Sequence, residues 1–329
     1  MFFSKTRLSP CLPTTGKVFI VTGGNTGIGY ETAKQLALLG GQVIIACRNK
    51  HKAKEAIQTM GVSTGRVQYL PIFLDRLNTV KSFVAEFSNK YDRLDGIVCS
   101  AGINSSGDPD KDVFAVNFTA HFYLCSLLMD VLRKSGSSES PSRVITLSSA
   151  MHVAIPISNS TLVPWGDNTA SYSRSKLALH MMANYINKHE SNNVVGIAVN
   201  PGAVNSSIWR GSSSLVQTVS SLLFLTSSQG AQPSVFAMTS HDIVEQQDEF
   251  IYVTPYVPCF RCCLKSRTTT TFTCHMFRRG LLLLSNFIEA TFGRCLYDSA
   301  HWGEASRVAC DSKEIDHLWS FALSKIENI

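Results

Sequence analysis

Six short β-rich runs, at residues 18–21, 42–46, 68–73, 96–99, 143–147 and 194–199, constrain this chain more than any other feature, because helical patterns separate them. The helical patterns fall at 28–39, 52–60, 79–91, 114–132 and 172–189. A strand that is apolar along its whole length must be buried on both faces, and the alternating helices supply that cover. The expected fold is therefore α/β: a doubly wound parallel sheet with helices on both faces. Its 329 residues allow a sizeable core, and 44% apolar against 16% charged residues excludes a disordered chain. No internal repeat is present.

Past residue 210 the pattern loosens. "QGAQPSVFAMTS" reads as a helix with Pro233 in its first turn, and 312–326 as an amphipathic helix. The net charge is +6, and the window 254–294 holds six basic residues against one acid, so five of the six net charges sit there. A near-neutral body with one basic segment argues against nucleic acid as a partner and favours local contact with an anionic surface. Of ten cysteines, Cys47, Cys99 and Cys125 lie in apolar runs, the pattern of small buried hydrophobes in a reducing compartment. The first residues lack the apolar core of a secretion signal, and no run reaches the ~18 apolar residues of a membrane span. The expected location is the cytoplasmic side, not outside the cell, with association to the endoplasmic reticulum or to lipid droplets left open.

Residues 22–29 read "TGGNTGIG" between the first strand and the first helix, with Gly23, Gly27 and Gly29 spaced to let backbone approach a pyrophosphate at a helix N-terminus. A plain tight turn is the competing reading. The second strand ends "ACRN", without the acid that a non-phosphorylated dinucleotide uses for its ribose. Arg48 there suits a 2′-phosphate; the alternative is a solvated surface arginine. Further on, "YSRSK" opens a helix and sets Tyr172 and Lys176 on one face. An ammonium beside a phenol favours phenolate, which suits proton exchange at an alcohol or carbonyl.

With "TGGNTGIG", "ACRN", "SAG", "VNF", "TLSSA", "YSRSK" and "NPGAV" in this order, the chain resembles the short-chain dehydrogenase/reductase family, and within it the retinol-dehydrogenase-like branch with its polyprenol-dehydrogenase-like members. "RVITLSSAMH", "YSRSKLAL" and "NPGAVNSSIWR" carry the finer likeness. The resemblance implies a Rossmann-type, NADP(H)-binding oxidoreductase, lipid metabolism and membrane association. It makes Tyr172 the general acid/base, Lys176 its partner and a ligand of the nicotinamide ribose, and Ser149 the group that polarises the carbonyl. Ser148 ranks below Ser149, since adjacent strand side chains face opposite sides. Asn117 would hold a water relaying protons to Lys176. Gly23, Asn25, Gly27, Ile28, Gly29 and Arg48 fall to the cofactor, as do Asp75 near the adenine and the stretch Ser100, Ala101 and Gly102. Pro201, Gly202, Val204 and Ser206 follow on the nicotinamide and phosphate side. The chain departs from the family at Cys99 and Ser100, where asparagines are usual, which implies a softer cofactor site.

In this frame residues 1–15 are an N-terminal extension and 16–253 the catalytic domain. Residues 254–293 are a basic, Cys/Thr-rich insertion, and 294–329 a strand and helix completing the single domain. Cys259 and Cys262 form a C-x-x-C without a second ligand pair at finger spacing, so no metal is expected. Palmitoylation, peripheral membrane contact through 259–292 and a plain loop are the readings left open. The expected function is interconversion of an alcohol and a carbonyl on a retinoid, polyprenoid or steroid-like substrate, with "SLVQTVSSLLFL" as its lid or as core packing. The NADP pool, mostly reduced in cells, points to carbonyl reduction. A weakly catalytic cofactor-binding scaffold is the alternative, and a homodimer through helices is a further expectation from the family.

Overall fold

The computed structural model describes residues 12–104, 112–149, 151–152, 171–190, 192–205, 224–241, 243, 252–255, 271–272 and 309–327. The strands are β1 (Val18–Thr22), β2 (Gln42–Cys47), β3 (Val67–Pro71), β4 (Gly96–Cys99), β5 (Ser142–Leu147), β6 (Val194–Val199), β7 (Tyr252–Pro255) and β8 (Thr271–Phe272). All pair parallel, in the order β3-β2-β1-β4-β5-β6-β7-β8. The chain winds outward from β1 to β3, returns to β4 on the other side of β1, and winds outward again. The reversal falls between β1 and β4, paired Phe19↔Gly96 to Val21↔Val98, and in an open α/β sheet such a reversal sets a crevice at the C-terminal ends of the strands. Single-domain α/β architecture of the expected kind is what the chain adopts.

Alternate strand residues feed two cores. Ile20, Ile44, Ile97 and Val144 face one, Val21, Val43, Ile45, Val98 and Ile145 the other, and all are buried. This is why the strands read as continuously apolar. The helices α1 (Gly27–Leu38) and α2 (Lys50–Thr59) cover the second core together with α6 (Ser227–Thr239). The first core lies under α3 (Leu77–Ser88), α4 (Ala120–Ser135), α5 (Ser171–His189) and α7 (Ser312–Ile326). The stretch Ala115–Ser135 is long and apolar enough to span a membrane, yet 67% of its most apolar window is buried in the protein, as a core helix would be. In α7, Trp319 stacks on Tyr185 of α5 at 3.3 Å between centroids and meets Phe122 of α4 edge-on at 4.6 Å. Asp311 caps that helix by accepting from Lys313 and Glu314 N–H.

Two elements differ from expectation. The helix expected over 114–132 begins as a π-helix, Ala115–Thr119, whose wide turn carries Asn117. The helix containing Pro233 starts earlier, because Thr226 and Gln229 form a capping box; Pro233 is thus inside α6 and not in its first turn. The strand β8 lies within the segment read as an insertion, whereas "GRCLYD" (293–298), the stretch expected to form the last strand, falls outside the described residues.

Candidate active site

The crevice is built from the loops that follow β1, β2, β4, β5 and β6. After β1 the backbone enters the left-handed region at Gly23 (φ +67°) and Gly27 (φ +59°). The Gly23 N–H donates to Ala46 O at 2.8 Å, tying the loop to β2. A Cβ on Gly29 would sit 2.6 Å from the Gly23 carbonyl oxygen, and one on Gly24 would sit 2.5 Å from Ile45 Cγ2. Gly24 is a packing requirement that the three-glycine spacing does not reveal. Thr26 precedes α1 in an extended conformation, its side chain does not cap the helix, and no acid stands in the first turn. Asn25 and Ile28 are half-buried beside it. The α1 N-terminus therefore offers main-chain donors and a positive dipole end to an anion.

Arg48 is exposed at the tip of β2, and the next residue, Asn49, caps α2 by accepting from Lys52 N–H at 2.9 Å. Asp75 is exposed after β3. After β4, Ser100 and Ala101 donate their N–H groups to Thr22 Oγ1 at 2.9 and 3.0 Å. Gly23, Ala101 and Gly29 pack closely enough that a Cβ on Gly23 would lie 3.1 Å from Ala101 Cα. Gly102 is exposed beside Asn117 and Lys176: a Cβ there would be 3.2 Å from Asn117 Oδ1 and 3.7 Å from Lys176 Nζ. A glycine cradle that a Cβ would fill, an uncapped helix end and a guanidinium at the tip of β2 fit a phosphorylated dinucleotide.

The Asn117 side chain grips Ile103, accepting from its N–H and donating to its carbonyl at 2.8 Å each, and donates to Ser175 Oγ at 3.0 Å. Ser175 in turn donates to Tyr172 O at 2.7 Å. Lys176 is buried in α5 and its Nζ donates to Leu147 O at 2.7 Å. Loss of solvation brings its pKa down to about 8. Tyr172 lies on the same face, with Lys176 Nζ 5.6 Å from its ring centroid. Burial pushes the Tyr172 phenol up, while its hydrogen bond with Ser149 pulls the other way. The depression of Tyr172 expected from Lys176 is thus not found in this arrangement, because the ammonium is turned to a carbonyl and burial dominates. Ser148 donates to Lys176 O at 2.9 Å and is buried, which leaves Ser149 as the serine facing Tyr172.

After β6, Asn200 Oδ1 accepts from Gly202 N–H at 3.0 Å, Gly202 has φ +79°, and Pro201 is half-buried. Val204 bridges to Leu225 and is buried under α6, where a Cβ on Gly230 would lie 2.5 Å from Val204 Cγ2. Its side chain is committed to packing rather than presented to the crevice. Ser206, most of "SLVQTVSSLLFL" and the C-x-x-C fall outside the described residues. The sequence reading missed Thr22 and His121, which join the loops after β1 and β4 to Asn117.

A family model described as short chain dehydrogenase matches residues 17–215. Human polyprenol dehydrogenase is 32% identical over 256 residues, spanning 73% of this chain and 78% of its own. Human retinol dehydrogenase 13 is 31% identical over 255 residues, spanning 71% and 76%. Among solved structures, the Pseudomonas aeruginosa RhlG/NADP active-site complex superposes with a TM-score of 0.59 at 21% identity, covering 73% of this chain and 94% of that one. That likeness extends to the fold.

Proposed function

The chain belongs to the short-chain dehydrogenase family of oxidoreductases, and from that premise we propose that it interconverts an alcohol and a carbonyl on a lipophilic substrate with NADP(H). The observation that carries this reading is the Ser149–Tyr172–Lys176 cluster, set beside a glycine cradle that ends on an uncapped helix. Gly23, Asn25, Gly27, Ile28 and Gly29 hold the pyrophosphate. Arg48 takes the 2′-phosphate and Asp75 lies toward the adenine. Ser100, Ala101, Gly102, Pro201, Gly202, Val204 and Ser206 complete the cofactor wall, Val204 through its backbone. The bound nicotinamide supplies or accepts a hydride.

The chain's own groups handle the proton. A phenol raised by burial is protonated at neutral pH, so Tyr172 Oη is set to donate to a carbonyl oxygen. The Ser149 hydroxyl donates a hydrogen bond to the same oxygen and orients it. Lys176, with its pKa near 8, carries a charge at neutral pH and favours the phenolate that the donation leaves behind. Asn117 and Ser175 position that lysine's helix turn. These roles favour carbonyl reduction. Retinoid and polyprenoid carbonyls are the substrate class, on the likeness to polyprenol and retinol dehydrogenases. The basic segment 259–292 supports peripheral contact with anionic membrane.

The test is NADPH oxidation with retinal, a polyprenal and other long-chain aldehydes, beside Tyr172→Phe and an NADH control. Turnover with NADPH that falls by about 10²–10⁴-fold in Tyr172→Phe is expected. One observation favours a second reading, a cofactor-binding scaffold: Lys176 Nζ is committed to Leu147 O. Tight NADPH binding without turnover on any aldehyde would support the scaffold and overturn the enzyme.

A further inference from the structure

His121 lies on the first turn of α4, fully buried between β1 and the π-helix. Its Nδ1 is 2.7 Å from Asn117 O, and its Nε2 is 2.9 Å from Thr22 Oγ1. A carbonyl oxygen only accepts, so Nδ1 must carry a proton. Thr22 Oγ1 already accepts from Ser100 and Ala101 N–H, which fills both of its lone pairs. Nε2 therefore cannot donate to it. The ring must be bare at Nε2 and accept the Thr22 hydroxyl proton, the alternative acceptor being Val98 O at a longer 3.3 Å. An imidazolium would leave one N–H with nothing to receive it. Burial and the nearby charge of Lys176 act in the same direction, bringing the His121 pKa down to about 4.

We propose that His121 is a positioning residue, a fixed Nδ1–H tautomer that locks the loop after β4, and with it the cofactor cradle, to the turn that carries Asn117. The chain of contacts is continuous. Asn117 O receives His121 Nδ1–H, His121 Nε2 receives the Thr22 hydroxyl, and Thr22 Oγ1 receives the Ser100 and Ala101 amides. The Ala101 amide abuts Gly23, where a Cβ would lie 3.3 Å from Ala101 N, and the Ser100 hydroxyl abuts Gly29, where a Cβ would lie 3.2 Å from Ser100 Oγ. The serine at position 100 is shorter than the amide side chain the family resemblance leads one to expect. The main-chain anchor through Thr22 is what holds this stretch in place. The part of this inference that concerns NADPH rests on the function proposed above; the tautomer and the loop anchor do not.

Two substitutions separate the ends of the bridge. Asparagine places its amide where Nδ1 sits and can still donate to Asn117 O. Glutamine places its carbonyl where Nε2 sits and can still accept from Thr22. The experiment combines ¹⁵N-histidine NMR of the wild-type apo protein with amide exchange and NADPH titration of His121→Asn and His121→Gln. The wild type is expected to show the Nδ1–H tautomer at pH 7. In His121→Asn, Ser100 and Ala101 amides should exchange, and NADPH should dissociate, about fivefold more readily, the scale of one net hydrogen bond. In His121→Gln both should stay within about twofold of wild type. An Nε2–H tautomer, or amide protection equal in the two variants, overturns the proposal; if His121→Asn does not fold, an Nε2–H wild-type tautomer or loosened amides in His121→Gln overturns it, and an Nδ1–H tautomer with protected amides in His121→Gln supports it. Failure of the wild type to bind NADPH would instead strike the proposed function, with the tautomer and exchange results still deciding the role of His121.

Discussion

The two edges of the sheet bury polar side chains in different ways. At the N-terminal edge Arg143, Asp95 and Ser142 are closed on the chain itself. Arg143, on β5, donates to Ala237 O and Ser240 O at 2.8 and 2.7 Å and so ties down the end of α6. Asp95 accepts from Val18 N–H at 2.9 Å and is gripped by both arms of Arg93. Ser142 donates to Leu94 O. At the C-terminal edge the groups are held as firmly, but from behind. Asn117, Ser175 and Thr22 spend their bonds on backbone and on buried side chains, while Ser149 is hydrogen-bonded to Tyr172 and the α1 N-terminus has no side-chain cap. One edge uses polarity to fix the fold, and the other uses it to hold the groups for which a role in the reaction is proposed.

The contrast breaks most sharply at Arg143. Arg143→Met would leave two helix-end carbonyls without their donor and is expected to cost about 3 kcal/mol or more in urea unfolding. NADPH affinity should not change. A loss of affinity would mean that the two edges are not independent.

Acid should sharpen it further. His121 is brought down to about 4 and His180 to about 3 by burial, and His152 is lowered as well. In the unfolded chain each takes a proton near 6.5. Between about pH 6.5 and 4 the unfolded state thus binds more protons than the native state, so stability is full above 6.5 and is lost as pH falls through this window. His121 alone should account for about 3 kcal/mol of that loss. Urea midpoints measured from pH 7.5 to 4.5 should fall steadily, and less steeply in His121→Gln. A flat profile would place charge, not neutral imidazole, behind the active-site edge.

The smallest effect is the most specific. Arg48→Ala should weaken NADPH by about tenfold, the scale of one charge-assisted bond, and leave NADH unchanged. Equal loss for both cofactors would return Arg48 to an ordinary surface role.

How much of this was readable beforehand follows from where each residue's partner lies. The strands were plain, because burial on both faces makes β2 apolar from Val43 to Cys47 and leaves no polar side chain on β4. The glycine loop and the Tyr172–Lys176 pair were plain because their spacing is local. The Thr22–His121 bond was not, since it joins residues 99 apart. Nothing local to Arg143 shows its partners, since α6 supplies the accepting carbonyls from nearly a hundred residues away. Gly24 has no place in the three-glycine spacing, because the reason for it is Ile45 on the next strand. The raised Tyr172 could not be foreseen either, because the sequence shows the nearby lysine but not the carbonyl of Leu147 that holds it.

The most direct test is a calorimetric titration of NADPH into the wild type and into Gly29→Val, with thermal unfolding of both. The added side chain meets the Gly23 carbonyl in the cradle itself. The account predicts clear binding to the wild type, and loss of it in a Gly29→Val protein that still unfolds cooperatively. Undiminished binding by Gly29→Val would contradict it, and so would a wild type that takes up no NADPH.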